Sequence, residues 1–307
     1  MKMTFQKLVG EFCWLAFFIV VSCQKDNFIS QMNTSIKAQA ELAAHDNSQI
    51  VAVAQDAMDV TGAALAGKGI SNGRYAANQR TADGYDDDMD CAPSISSTFS
   101  IDRSHPDSII YSGTLTIDYG TGLLCEDSTE VRKGKLIDAF NLIVTTKDSI
   151  TYNLTESVTF QGYQKDSVQV DGVFTITSTS HAMSTLTIQN AKITYSNGTF
   201  VTWSGTLTNH YIRNGYLDWD QESRQVTGSI SGMNREGVAF SASITKPILF
   251  EYSCSRRIPV SGTIDLTVGS VVSTIDYGTG TCDRIYTITA GGTTTTYTFK
   301  RHHHDDA

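Results

Sequence analysis

The sequence predicts a mainly β protein with an N-terminal helix, because period-two alternation and turn signals fill most of the chain. Apolar and polar residues alternate through residues 91–300, a pattern typical of strands with one buried and one wet face. One such series is Val238, Phe240, Ala242 and Ile244. Two-residue hairpin signatures recur in the same region, namely Asp171-Gly172, Asn197-Gly198 and Gly291-Gly292. We therefore expect an antiparallel fold, either a β-sandwich or a partly closed barrel.

Residues 34–66 differ from the rest because they are rich in Ala, Gln and Leu and contain no Pro. Their apolar residues recur mostly at three- and four-residue steps: Ile36, Ala40, Ala43, Ile50, Val53, Ala57, Val60 and Ala64. Thr34 or Ser35 can cap the start of a helix, and Gly67 can end it. The apolar stripe is narrow, so this helical segment is either a stalk or a helix that lies on the β domain, and it could also break at residues 45–48.

Polar segments flank these elements. Residues 23–33 form a short tether, and residues 67–90 form a linker that ends in an acidic run. The aspartates of that run lack the spacing of a calcium loop, which favours a solvated, self-repelling segment. Residues 301–307 contain three consecutive histidines and are expected to be a solvated tail rather than a metal site.

The composition limits how much charge the surface can carry and argues against one class of partner. Charged residues make up 18% of the chain, below the share of about 25% in soluble domains, so much of the surface must be uncharged and polar. The formal net charge is −9. A chain this acidic offers no general attraction to phosphate backbones, and we expect no nucleic-acid partner.

The first residues follow the pattern of an export signal. Lys2 and Lys7 precede an apolar run, residues 12–21, that is too short to cross a bilayer as a helix. Residues 20–23, Val-Val-Ser-Cys, resemble the lipobox of bacterial lipoproteins. The resemblance implies that residues 1–22 are removed and that Cys23 becomes a lipidated N-terminus, anchored by several acyl chains. The alternative is an ordinary signal peptide with a chance cysteine.

Residues 24–27, Gln-Lys-Asp-Asn, resemble the short signal that follows the cysteine in surface-exported lipoproteins of the Bacteroidetes. The match is partial, because those signals are usually more acidic. It implies a location at the bacterial outer membrane, and on its external face.

A seven-residue segment occurs twice in the β region. Residues 116–122 and residues 274–280 both read Thr-Ile-Asp-Tyr-Gly-Thr-Gly, and a cysteine follows each copy, Cys125 or Cys282. Each copy is also preceded by Ser-Gly-Thr. We expect the two ends of the domain to form equivalent strand-and-turn units, but not a solenoid.

Taken with four further segments, the repeat resembles a family of uncharacterised Bacteroidetes lipoproteins. These segments are residues 132–135, residues 193–198, residues 232–237, and Cys254 before residues 259–263. The resemblance covers residues 91–300 and implies a β fold and an envelope location. It implies no particular activity.

Four cysteines remain once Cys13 is removed with the signal and Cys23 is lipidated: Cys91, Cys125, Cys254 and Cys282. An even number in an oxidising compartment predicts disulfides, and four cysteines allow three pairings. We favour Cys91–Cys125 and Cys254–Cys282, because each pair flanks one copy of the repeat. A zinc site without Cys-x-x-Cys spacing, or free buried thiols, are the alternatives.

The sequence contains none of the catalytic motifs that identify common enzyme classes. There is no Gly-x-Ser-x-Gly elbow, no His-Glu-x-x-His and no phosphate loop. The histidines that precede the tail are widely scattered. We therefore expect no catalytic residue, no metal and no cofactor.

One segment has the composition of a glycan-contacting loop. Residues 210–222 combine aromatic rings with carboxylates, and the candidate ligand-binding side chains are Tyr211, Tyr216, Asp218, Trp219, Asp220 and Glu222. Aromatic faces stack on sugar rings, and carboxylates accept hydroxyl protons. The alternative is that Tyr216 and Trp219 cap the edge of the core, since aromatics usually anchor folds. Asp218 and Glu222 could also form a glycosidase pair.

These observations predict a lipid-anchored outer-membrane or cell-surface protein with a non-catalytic binding or structural β domain. An adhesin or a glycan-contacting protein would fit that description. The alternatives are an envelope glycan hydrolase and a subunit of a pilus or another envelope assembly. The expected partners are the membrane, through the lipid anchor, and a glycan or an envelope protein.

Overall fold

The computed structural model describes the helical segment and most of the β region. The described residues are 38–70 except 40 and 48, then 93–125, 131–147, 150–165, 167–180, 182–213, 222–254 and 258–299. The predicted signal peptide, Cys23, the tether, most of the acidic linker and the C-terminal tail lie outside these ranges.

Helix α1 spans Glu41–Gly67. Its C-terminus is closed by backbone hydrogen bonds from Gly69 to Ala66 and from Ile70 to Leu65, and Gly69 takes the left-handed conformation (φ +74°) that such ends favour. By length and composition α1 is long and apolar enough to cross a membrane. However, 67% of its apolar 18-residue stretch is buried inside the fold, as in the core helix of a globular protein.

Fourteen strands follow α1 in the described chain. They are β1 (Ser94–Asp102), β2 (Ser108–Asp118), β3 (Leu123–Leu124), β4 (Val131–Thr145), β5 (Thr151–Lys165), β6 (Val168–Ser180), β7 (Met183–Thr194), β8 (Phe200–Arg213), β9 (Glu222–Met233), β10 (Ala239–Glu251), β11 (Ser261–Val268), β12 (Val271–Thr279), β13 (Ile285–Ala290) and β14 (Thr293–Thr298).

All fourteen strands belong to one antiparallel sheet. Its order is β1-β2-β4 and then every strand in sequence to β14, while the short β3 pairs with β4 at the side. This meander confirms the predicted mainly β, antiparallel class with an N-terminal helix. The strands do not divide into the two sheets of a sandwich, and the single sheet is not closed into a barrel.

The sheet curves around α1 and buries the helix in its concave face. The helix accepts hydrogen bonds from strands in both halves of the sheet: Arg132 of β4 donates to Asp56, and Tyr297 of β14 donates to Glu41. Ile50 and Val60 of α1 are completely buried. The predicted helical segment therefore supplies part of the core and is not a stalk.

Bulges cross the sheet and give it the curvature that this wrapping requires. Register shifts interrupt seven of the strand pairings between β4 and β12. At the β4–β5 shift, Gly134 and Gly162 both have positive φ, and a Cβ on Gly134 would lie 2.2 Å from the Gly162 carbonyl oxygen. Asp171-Gly172 lies in another bulge, inside β6. Its interpretation as a hairpin turn was wrong, because an isolated glycine in a strand also marks a bulge.

The convex face of the sheet carries a row of polar, mostly uncharged residues. Directly paired residues form one row across thirteen strands, and all but two of them carry a hydroxyl group. From β1 to β14 the row is Thr98, Thr114, Ala139, Ser157, Thr175, Thr187, Thr206, Ser229, Ser243, Asp265, Thr274, Thr289 and Thr294. Threonine suits strands, and its hydroxyl keeps this face wet without charge.

Candidate functional site

A cavity lies between α1 and the concave face of the sheet. One side of the helix lines it through Val51, Ala52, Gln55, Asp56 and Asp59, whose spacing places them on a single helical face. The opposite wall comes mainly from β8 to β12. The volume is about 140 Å³.

A bulge in β10 accompanies this cavity. Ser243 pairs with Ser229 of β9, and the next pair is Ile248 with Val226, so β10 has two more residues than β9 over this stretch. Pro247 lies in the bulge, where a missing N–H breaks no ladder hydrogen bond. Ile244 and Ile248, at the two ends of the bulge, both line the cavity.

The walls of the cavity are largely apolar. The paired residues Val226 and Ile248 lie side by side on β9 and β10, and Ile264 of β11 extends the same surface. Tyr277 and Phe299 also line the cavity, and their rings stack with centroids 6.2 Å apart. Burial raises the pKa of the Tyr277 phenol above its ordinary value, so the hydroxyl stays protonated at neutral pH.

Asp56 anchors one charged edge of the cavity. Its carboxylate accepts hydrogen bonds from Arg132 Nη2 at 2.8 Å, Lys165 Nζ at 2.8 Å and Tyr163 Oη at 2.9 Å. Burial by itself would raise the pKa of Asp56. The charges of Arg132 and Lys165, and the hydrogen bonds from Lys165 and Tyr163, outweigh burial and hold that pKa well below its ordinary value. Asp56 is therefore a structural anion at neutral pH.

Asp59 and Arg224 form the second charged edge. Gln55 Nε2 donates a hydrogen bond of 2.7 Å to Asp59 Oδ1, and Arg224 Nη1 lies 3.9 Å from Asp59 Oδ2. The Arg224 guanidinium also lies over the ring of Phe250, 4.3 Å from its centroid. These charged groups thus have partners within the protein.

A separate ion pair holds the N-terminal part of α1. Asp46 accepts hydrogen bonds from Tyr195 Oη at 2.9 Å and from the Arg235 guanidinium, and Arg235 stacks over the Tyr195 ring. Burial opposes ionisation of Asp46, but the hydrogen bonds from His45, Arg235 and Tyr195 and the Arg235 charge lower its pKa. The two anchors, Asp46 and Asp56, lie about three turns apart along α1.

The two repeated segments share one local hydrogen bond, although the first copy leaves β2 for a turn after Asp118 and the second stays in β12 up to Thr279. In the first copy Asp118 Oδ1 accepts a 2.8 Å hydrogen bond from Gly120 N, and in the second Asp276 Oδ1 accepts the same bond from Gly278 N. The tyrosine between them is buried in both copies. Tyr119 lies beside Arg132 at the Asp56 cluster, and Tyr277 lines the cavity.

Most of the candidate glycan-binding residues lie outside the described chain. Tyr216, Asp218, Trp219 and Asp220 are among them, and of Glu222 only the backbone, at the start of β9, is described. Tyr211 is half-buried on β8, opposite Arg224. It does not line the cavity.

The structure joins Cys254 to Cys282, one of the two pairings favoured from the sequence. Their Cα atoms are 5.5 Å apart. Cys125 is disulfide-bonded as well, and Cys91, its favoured partner, lies outside the described residues. Within the described chain, no group of three or more His, Cys, Asp or Glu side chains is arranged to hold a metal ion.

Sequence reasoning missed the cavity because its lining residues are spread from Val51 to Phe299. One signal was present. Asp56 and Asp59 interrupt the helical segment among apolar residues, and a carboxylate in that setting requires a cationic partner elsewhere in the fold. The pattern gives no indication of which of the 23 Lys and Arg residues that partner would be.

Comparison of the chain with protein-family models, with curated proteins and with solved structures gives no match.

Proposed function

We propose that this chain is a lipoprotein of the bacterial outer membrane, anchored through Cys23, whose β domain is a non-catalytic binding module. The anchor is supported by the resemblance of residues 20–23 to a lipobox. The observation that carries the binding role is the cavity between α1 and the sheet, since ligand sites are typically concave, mostly apolar and few in number.

The charged groups at the cavity favour binding over hydrolysis. A general acid or base works best with a pKa near the operating pH. Asp56 has a strongly lowered pKa, and its oxygens are occupied by Arg132, Lys165 and Tyr163. Asp59 accepts a hydrogen bond from Gln55. These carboxylates stabilise the helix-to-sheet contact.

The tether determines how far the module extends from the membrane. Residues 23–33 would reach at most about 35–40 Å if fully extended. The partial surface-export signal at residues 24–27 supports the external leaflet as the place of attachment.

The anchor is tested by growing cells with an alkyne analogue of palmitate and analysing the purified protein by mass spectrometry. We expect an acylated N-terminal peptide that begins at residue 23, recovered in the outer-membrane fraction. Cys23→Ser is the matched control and must lose the label. An unacylated residue 23, or retention of residues 1–22 in the wild-type protein, would overturn the proposal.

A second candidate function, a subunit of an envelope assembly, is favoured by the edges of the sheet. Within the described residues β1 pairs only with β2 and β14 pairs only with β13. An open edge can accept a strand from another chain. Concentration-dependent oligomers in sedimentation experiments, abolished by Thr296→Pro on β14, would support this function, whereas a monomer at all concentrations would exclude strand addition between copies.

A further inference from the structure

We propose that the cavity beside α1 binds a small uncharged hydrocarbon group of about six carbons, such as the end of a lipid chain. This inference rests on the proposed binding function and specifies its ligand class. Size is the first argument. An apolar cavity of about 150 Å³ is large enough to bind benzene, and the cavity beside α1, whose walls are largely apolar with charged residues at the edges, measures about 140 Å³.

Charge is the second argument, because the ionic groups around the cavity already interact with one another. Lys165 bonds Asp56 at 2.8 Å, and Gln55 bonds Asp59 at 2.7 Å. The Arg224 guanidinium lies between Asp59 and the Phe250 ring. A charged ligand would give up its hydration next to ions that already have partners, which is costly. An uncharged hydrocarbon loses no such hydration and gains the apolar contact.

The walls form the third argument, since they are built on paired strands. Ile264 is in register with Ile244 of β10, and Val226 is in register with Ile248. Side chains that pack against cross-strand neighbours keep their positions, so the site is largely formed before a ligand enters. The helical side of the cavity is also held, because Asp56 is bonded to β4 and β5.

The test uses the full chain, purified from its native membrane into lipid nanodiscs, and measures its thermal midpoint by scanning calorimetry. The ligands are benzene, 1-hexanol and hexanoate. We expect benzene or 1-hexanol to raise Tm by about 2–4 °C for each tenfold increase in ligand concentration above Kd. Hexanoate should have a much smaller effect. The benzene and hexanol arms distinguish an aromatic group from an aliphatic chain.

Ala52 lines the cavity where it opens to solvent, so the larger side chain of Ala52→Phe should occupy the cavity and abolish the Tm shift. Ala139→Phe is the matched control, since it makes the same change on the convex face of β4 and should retain the shift. Because filling the cavity can also disturb folding, the variant Ile244→Ala provides a second, independent test. It enlarges the site and should let 1-octanol act as 1-hexanol does on the wild type.

Equal shifts in wild type and Ala52→Phe would overturn the inference, and so would a shift with hexanoate as large as that with 1-hexanol. Mass spectrometry of the same sample separates the two proposals. If Cys23 is acylated but benzene and 1-hexanol leave Tm unchanged, the proposed ligand class is wrong and the proposed anchor still stands. An unacylated chain removes the envelope function on which the inference rests.

Discussion

Asp56 of α1 and Arg132 of β4 form an ion pair of 2.8 Å in which both side chains are almost fully buried. The two residues are 76 positions apart in the chain. Lys165 and Tyr163 bond the same carboxylate from β5. This cluster connects the helix to the sheet at a defined point, so it determines where α1 lies along the concave face.

Removing the carboxylate should be strongly destabilising. We expect Asp56→Ala to lower the free energy of unfolding by about 3–5 kcal/mol, because the buried charge of Arg132 loses this partner. Urea unfolding followed by circular dichroism measures the change. The matched control is Asp107→Ala, whose exposed pair with Lys147 at 3.8 Å should contribute less than about 1 kcal/mol. Equal losses in the two variants would contradict the assigned role of the Asp56 cluster.

The stability of the fold should decrease as the pH falls below about pH 5. The pKa of Asp56 is lower in the folded chain than the value of about 3.9 in an unfolded one, so the unfolded state takes up a proton first as pH falls. The stabilising contribution is complete above about pH 5 and decreases as the pH falls towards the folded-state pKa. Unfolding free energies of wild type and Asp56→Asn should therefore converge on acidification. If the unfolding free energies of the two proteins instead stay parallel down to about pH 2, Asp56 is not the cause of the pH dependence.

The Cys254–Cys282 disulfide should stabilise the end of the sheet. It closes a loop with a sequence separation of 28 residues, which corresponds to about 3–4 kcal/mol in the chain-entropy model. We expect the double variant Cys254→Ser with Cys282→Ser to lose an amount of that order in non-reducing buffer. A reductant should then lower the stability of the wild type and narrow the difference between the two proteins. No difference before reduction would argue against the bond.

Glycines at close approaches between strands should not tolerate a methyl group. A Cβ on Gly205 of β8 would lie 2.4 Å from the carbonyl oxygen of Ser229 on β9. We expect Gly205→Ala to cost about 1–3 kcal/mol through backbone displacement. Gly67→Ala at the end of α1 is the control, because nothing lies within 4 Å of its Cβ position and the change should be nearly neutral. Chemical denaturation of both variants measures their free energies of unfolding. An unchanged free energy of unfolding in Gly205→Ala would refute the prediction.

Much of the fold was accessible from local patterns. Alternation in Val238, Phe240, Ala242 and Ile244 predicted which side of β10 faces inward, and the structure places Phe240 and Ala242 in the core. Asn197-Gly198 and Gly291-Gly292 do lie at the ends of hairpins, between β7 and β8 and between β13 and β14. The two identical segments also form the same local hydrogen bond, from the glycine N–H to the aspartate two residues earlier. These features can be recognised from the sequence because each depends on neighbours within a few residues or on one pair of adjacent strands.

The sequence by itself determined the antiparallel β class, the helix and the buried side of strands with clear alternation such as β10, since side-chain period follows directly from backbone geometry. Only the tertiary structure decided that the strands form one open sheet around α1 and that Asp171-Gly172 is a bulge rather than a turn. It alone decided that Asp56 meets Arg132 and that a cavity remains beside them. Those outcomes depend on the summed curvature of many strands and on contacts between residues far apart in the chain, which no local pattern encodes.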